Sequence, residues 1–210
     1  MPTPIPECIV VFDVNVWLDA ATLITQPFSW DEFDAIARSV NSLPAPHPDV
    51  RYDCLRAIAM SRTGFYDSAN QRLEVWTSAH IDRLVISKAL EVVRDRAGRR
   101  WTQATAEGLV EDFLYQVLDD TGGGTVGDIV VPMGNPPLDH EDGCVYRTAM
   151  DAGDDHMSRK VIVTRDRSFR QSAPSIGTFV DVVTPAEYVS ELRKARRPTF
   201  PRPPFRPSEP

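Results

Sequence analysis

The chain has 210 residues, a formal net charge of −7 and 42% hydrophobic residues, enough for one folded domain of generous size with a sizeable core. No window approaches the roughly 18 apolar residues of a membrane span, and the prolines at positions 2, 4 and 6, with no basic stretch, exclude a signal helix, so the expected location is the cytoplasm. Cys8, Cys54 and Cys144 form no CxxC pair, and the four histidines show no zinc spacing, which excludes a disulfide frame and a sequence-local zinc site.

In chain order, residues 8–14 read as a buried strand of parallel-sheet type that ends in Asp13. A helix follows Asn15. Ser29-Trp30-Asp31-Glu32 has the form of a capping box, opening a helix with Phe33, Ile36, Ala37 and Val40 on one face. The proline-rich run 43–48 breaks it, and Tyr52 to about Arg62 form the next helix. Residues 16–70 are thus a helical excursion between two strands. The second strand is 72–77, and Ser78 caps a helix running to about Arg96. Trp101 to Asp119 form a further helix with Leu109, Val110, Phe113, Leu114, Val117 and Leu118 as its apolar stripe.

Gly122-Gly123-Gly124-Thr125 lacks the Lys-Ser/Thr of a phosphate-binding loop and reads as a linker. Residues 128–131 are expected to form a short strand, 139–152 a helix, and 160–164 and 179–183 two strands. Thr184-Pro185-Ala186-Glu187 opens a final helix with proline in its first turn. From Pro198 onward six of thirteen residues are proline, so that segment is expected to be extended or disordered. The organisation is therefore an N-terminal extension (1–7), one domain (8–197) and a proline-rich tail (198–210). Alternating strands and helices predict an α/β fold. Its central parallel sheet has four to five strands flanked by helices, with a helical insertion after strand one.

In such sheets, sites form at the carboxyl ends of the strands. Asp13 ends the first strand, and Asp166 lies just past the 161–163 strand, so both belong to one edge. Helical phase selects their partners. Asp82 shares a face with Val85, Ile86, Ala89 and Val93, and Asp142 with Val145, Tyr146 and Ala149. Glu91 lies about 180° around the helix from Asp82 and about 13 Å along it, and is set aside. Asp139, one turn before Asp142, is a supporting or N-cap residue. Carboxylates placed so closely repel and raise one another's pKa. A divalent cation removes that repulsion, and all-oxygen ligation selects Mg²⁺ or Mn²⁺ over zinc. The charge pattern suits this: residues 139–155 hold six acids against one arginine, and 158–172 hold five bases against one acid.

Four segments resemble PIN-domain nucleases, the ribonuclease family that includes the toxins of many bacterial toxin–antitoxin pairs. They are Val11-Phe12-Asp13-Val14-Asn15, residues 76–82 ending in Asp82, Asp139-His140-Glu141-Asp142 with Ala149 seven residues on, and Val161-Ile162-Val163-Thr164-Arg165-Asp166. The resemblance covers roughly residues 8–183. The second acid departs from the family pattern: the register slightly deeper in that helix, where relatives often carry glutamate, holds Leu84.

The resemblance implies Mg²⁺- or Mn²⁺-dependent hydrolysis of RNA phosphodiester bonds. Asp13, Asp142 and Asp166 would be metal ligands, and Asp82 would complete the catalytic cluster. Asn15 and Thr164 would orient the carboxylates, and Arg165, Arg167 and Arg170 would bind flanking phosphates. It also implies an RNA substrate, an antitoxin partner and a homodimer. The acidic balance favours a selected RNA over indiscriminate binding. Two alternatives stand beside it. One is a catalytically weak PIN-fold subunit that binds RNA or protein. The other is a haloacid-dehalogenase-type phosphatase, which wants an acid where Asn15 stands and a nearby lysine; the chain has three lysines.

Overall fold

Five short segments pair as one parallel sheet: β1 (Cys8–Phe12), β2 (Leu73–Ser78), β3 (Gly124–Val126), β4 (Arg159–Val163) and β5 (Val180–Val183), in the order β3-β2-β1-β4-β5. The computed structural model describes residues 8–69, 71–91, 94, 96–153 and 158–197. The extension 1–7, the tail 198–210, residues 92, 93 and 95 of the expected helix end, and Asp154 and Asp155 lie outside the described residues. The α/β class, the parallel sheet and the helical insertion after the first strand are as expected. β1 is central and buried at every residue, as a strand covered on both faces must be.

Between β1 and β2 come α1 (Val14–Ala21), α2 (Trp30–Asn41) and α3 (Arg51–Ser61); α4 (Ala79–Glu91) follows β2. Next are α5 (Gln103–Gly108) and α6 (Tyr115–Thr121), then α7 (His140–Asp151), α8 (Arg167–Ser172) and α9 (Pro185–Ala195). Phe12 meets Trp17 edge to face at 5.2 Å between ring centroids, and Trp17 meets Phe113 in the same way at 5.4 Å. The first contact ties α1 to the sheet across Asp13, and the second ties it to the helical segment that carries Phe113. Among the described residues no helix is long and apolar enough to cross a membrane.

Several local expectations are corrected. The third strand is not at 128–131, where Val130 and Val131 are 81% and 69% exposed; it is the glycine stretch read as a linker. A Cβ on Gly123 would lie 1.8 Å from the Val75 carbonyl oxygen, so only glycine lets the chain approach β2 closely enough to pair beside it. The expected helix 101–119 is three pieces, with a π-helical stretch, Leu109–Leu114, between α5 and α6. Its apolar stripe is nonetheless buried throughout. α4 does not run to Arg96: Arg94 sits instead in an isolated antiparallel bridge with Arg100. At α2 only half the capping box forms: Ser29 Oγ accepts from Glu32 N at 3.4 Å, while the Glu32 carboxylate accepts from Thr25 N at 2.9 Å. The complete box is at α9, between Thr184 and Glu187.

Candidate functional site

β1 and β4 are hydrogen-bonded neighbours with Phe12 opposite Val163, so the residues that follow them emerge side by side. Asp13 caps α1, its Oδ1 accepting from Val14 N at 2.7 Å. Oδ2 accepts from Thr164 Oγ1 at 2.6 Å and from Asn15 Nδ2 at 2.5 Å. Asn15 Oδ1 accepts from Arg165 N at 3.0 Å, and Thr164 Oγ1 from Asp166 N at 2.9 Å. Asn15 and Thr164 therefore cross-link the two strand ends, as the positioning role requires. Burial raises the Asp13 pKa, the bonds from Thr164, Val14 and Asn15 oppose that rise, and the Asp166 charge adds to it.

Asp166 is the N-cap of α8. Its Oδ1 accepts from Ser168 N and Ser168 Oγ, both at 2.6 Å, and from Phe169 N at 3.1 Å. The Ser168 hydroxyl leads in holding its carboxyl below the usual range. Asp142 differs from both. Asp139 caps α7, its Oδ1 accepting from Asp142 N at 2.8 Å, but no donor among the described residues reaches the Asp142 carboxylate. Burial, and then the charges of Asp139, Asp13, Asp166 and Glu141, push its pKa up to about 7.

These groups share a cavity of about 330 Å³, lined by Asp13, Asn15, Asp139, Glu141, Asp142 and Asp166, with Leu84 and Lys88 facing them from α4. Lys88 is the one cation in that lining. Its ion pair, 3.7 Å long, is with Glu91 outside the cavity.

Asp82 is not brought to this group. It is 7% exposed, and both carboxylate oxygens are engaged: Thr77 Oγ1 donates to Oδ1 and Tyr115 OH to Oδ2, each at 2.9 Å. Burial raises its pKa, and no other acid contributes to the shift. The assignment of Asp82 to the cluster is corrected on this ground: it does not line the cavity that Asp13, Asp142 and Asp166 share, and its hydrogen-bond partners, Thr77 and Tyr115, lie outside that cavity too. Leu84 and Lys88, roughly 200° and 240° around α4 at about 100° per residue, are the residues that reach the cavity.

Of the three arginines, Arg165 pairs with Asp19, and Arg170 with Glu187 at 3.5 Å. Arg167 is exposed and makes no ion pair among the described residues. Ser168 and Lys88 were not anticipated. The Asp-x-Ser spacing of a helix cap could have pointed to Ser168; nothing in the sequence separated Lys88 from a solvated lysine.

Comparison with protein-family models, with curated proteins and with solved structures finds no match.

Among the described residues no three His, Cys, Asp or Glu side chains are arranged as a ready-made metal cage. The donor chemistry nevertheless fits a hard divalent cation. Among the described residues Asp142 has no hydrogen-bond donor, Asp166 Oδ2 accepts no bond, and Asp13 Oδ1 accepts a single one. The mutual repulsion recorded at Asp142 is what a cation would relieve.

Proposed function

We propose that the chain is a divalent-cation-dependent endoribonuclease of PIN type. The observation that carries this reading is Asp142, an undonated carboxylate facing Asp13 and Asp166 at the carboxyl edge of the sheet, its pKa raised to about 7 by burial and by these neighbours. Asp13, Asp142 and Asp166 would hold Mg²⁺ or Mn²⁺. When bound, such an ion lowers the pKa of a coordinated water and stabilises charge on the phosphoryl oxygens. The residues supply the rest. Asn15 and Thr164 fix the Asp13 carboxylate, Ser168 fixes that of Asp166, and Asp139 secures the start of α7. Arg167, exposed and without an ion pair among the described residues, offers its guanidinium to a flanking phosphate. A toxin role, an antitoxin partner and a homodimer extend this reading and rest on the resemblance alone.

The test is cleavage of single-stranded and structured RNA with Mg²⁺ or Mn²⁺, with chelator, and by Asp13→Asn. Cation-dependent cleavage that Asp13→Asn loses supports the reading; equal activity in the two proteins sinks it. One observation favours a second reading, a binding subunit with weak catalysis: α4 presents Leu84 and Lys88 where a further carboxylate would strengthen a metal site. RNA retained without cleavage under every cation would select it. Hydrolysis of a small phosphate ester with RNA untouched would instead indicate a phosphatase.

A further inference from the structure

A larger cavity, about 870 Å³, lies beside the acidic one. Thr184 and Pro185, directly after β5, form part of its wall, so one end of it lies at the same carboxyl edge as Asp13 and Asp166. Arg165 links the two. Its backbone N–H donates to Asn15 Oδ1 at 3.0 Å, on the acidic side, and its side chain lines the larger cavity. A nucleic-acid strand lying across Asp13 and Asp166 therefore meets this cavity within the reach of one residue.

The lining matches a planar heteroaromatic guest. Pro46, Val50, Pro185 and Ala186 give apolar walls, and the volume falls in the range of about 300–1,000 Å³ typical of small-molecule sites. Its carboxylates are already committed. Asp53 accepts from His47 N at 2.7 Å and pairs with Arg56. Glu187 serves the α9 capping box, and Glu191 pairs with Arg159. Ser190 and Lys194 also line the cavity and make no hydrogen bond through their side chains among the described residues. These groups could read a base edge, and the Arg165 guanidinium, held in place by Asp19, offers a stacking plane.

We infer that the cavity between the loop before α3 and the start of α9 receives the base of the nucleotide adjoining the scissile phosphodiester, and so sets sequence or positional preference. This rests on the nuclease reading for the word scissile, but the pocket can be tested without cleavage. The probe is a short single-stranded RNA carrying one abasic position, moved along the strand, with binding measured by fluorescence anisotropy in EDTA. One abasic position should weaken binding about tenfold, the scale of a lost base stack. Ala186→Trp, which places an indole inside the cavity where a base would lie, should remove that position dependence. Val50→Phe provides an independent second block if Ala186→Trp does not fold by circular dichroism. Equal binding at every abasic position, or unchanged position dependence in both filled variants, overturns the pocket. So does binding of a free nucleoside monophosphate in the cavity with no position dependence in RNA, which would mark a free nucleotide as the guest. Position-dependent binding without cleavage in Mg²⁺ or Mn²⁺ keeps the base pocket and rejects the nuclease reading. Cleavage without position dependence does the reverse.

Discussion

Asp82 and Asp142 sit in the first turns of two helices that follow the same pattern, yet their surroundings are opposite. Asp82 has a hydroxyl on each oxygen and no acidic neighbour affecting it. Asp142 has no donor and several acids around it, which with burial push its pKa up to about 7. A carboxylate satisfied where it stands and set apart from the acidic cavity, as Asp82 is, serves as a structural element. A carboxylate left undonated among like charges is held at a cost unless something positive arrives.

The sharpest way to break that contrast is to remove ligands on one side and hydroxyl partners on the other. Asp13→Asn should lower cation-dependent RNA cleavage by at least about 100-fold, the upper end of what disturbing a metal site's supporting shell already costs; initial rates at saturating Mn²⁺ measure it. Thr164→Val, which takes one donor from Asp13 and the acceptor from Asp166 N, should weaken cation binding or activity by about 10–100-fold. Asp82→Ala strands the buried hydroxyl of Thr77 and should destabilise the fold by about 1–3 kcal/mol, read by urea denaturation, with cation affinity unchanged.

The next effect is a pH dependence whose sign follows from Asp142. Its folded pKa, about 7, lies above the ordinary 3.8, so the folded chain holds a proton that the unfolded chain has released. The stability this confers is complete below about pH 4 and is lost as pH rises through about 7. In chelator, Asp142→Asn should therefore melt higher than wild type at pH 8, and the gap should close towards pH 4. Adding Mn²⁺ should raise the wild-type melting temperature by more than that of the variant. The smallest effect is expected at Lys88: Lys88→Met removes the cavity's one cation and should tighten Mn²⁺ binding by a few-fold, on the scale of one partly exposed charge, seen by calorimetry.

The edge itself was legible in the sequence because it follows from topology. Adjacent parallel strands that each end in an acid must deliver those acids together, and Asp13 and Asp166 could be placed before any side chain was seen. Asp142 was legible from helical phase because its face looks across at that edge. The same phase argument located the Asp82 face correctly and misjudged what waits there. Tyr115 comes from a helix 33 residues on, and no local pattern announces that its hydroxyl will occupy the carboxylate. β3 was missed for a comparable reason: three glycines look like a linker until a neighbouring strand is close enough to require them.

The most direct test is a calorimetric Mn²⁺ titration at pH 8 of wild type, Asp142→Asn and Asp82→Asn under identical conditions. Wild type and Asp82→Asn are expected to bind with the same affinity, and Asp142→Asn at least about tenfold more weakly. Equal binding by Asp142→Asn and wild type, or a loss confined to Asp82→Asn, would contradict the assignment of the cation to Asp13, Asp142 and Asp166.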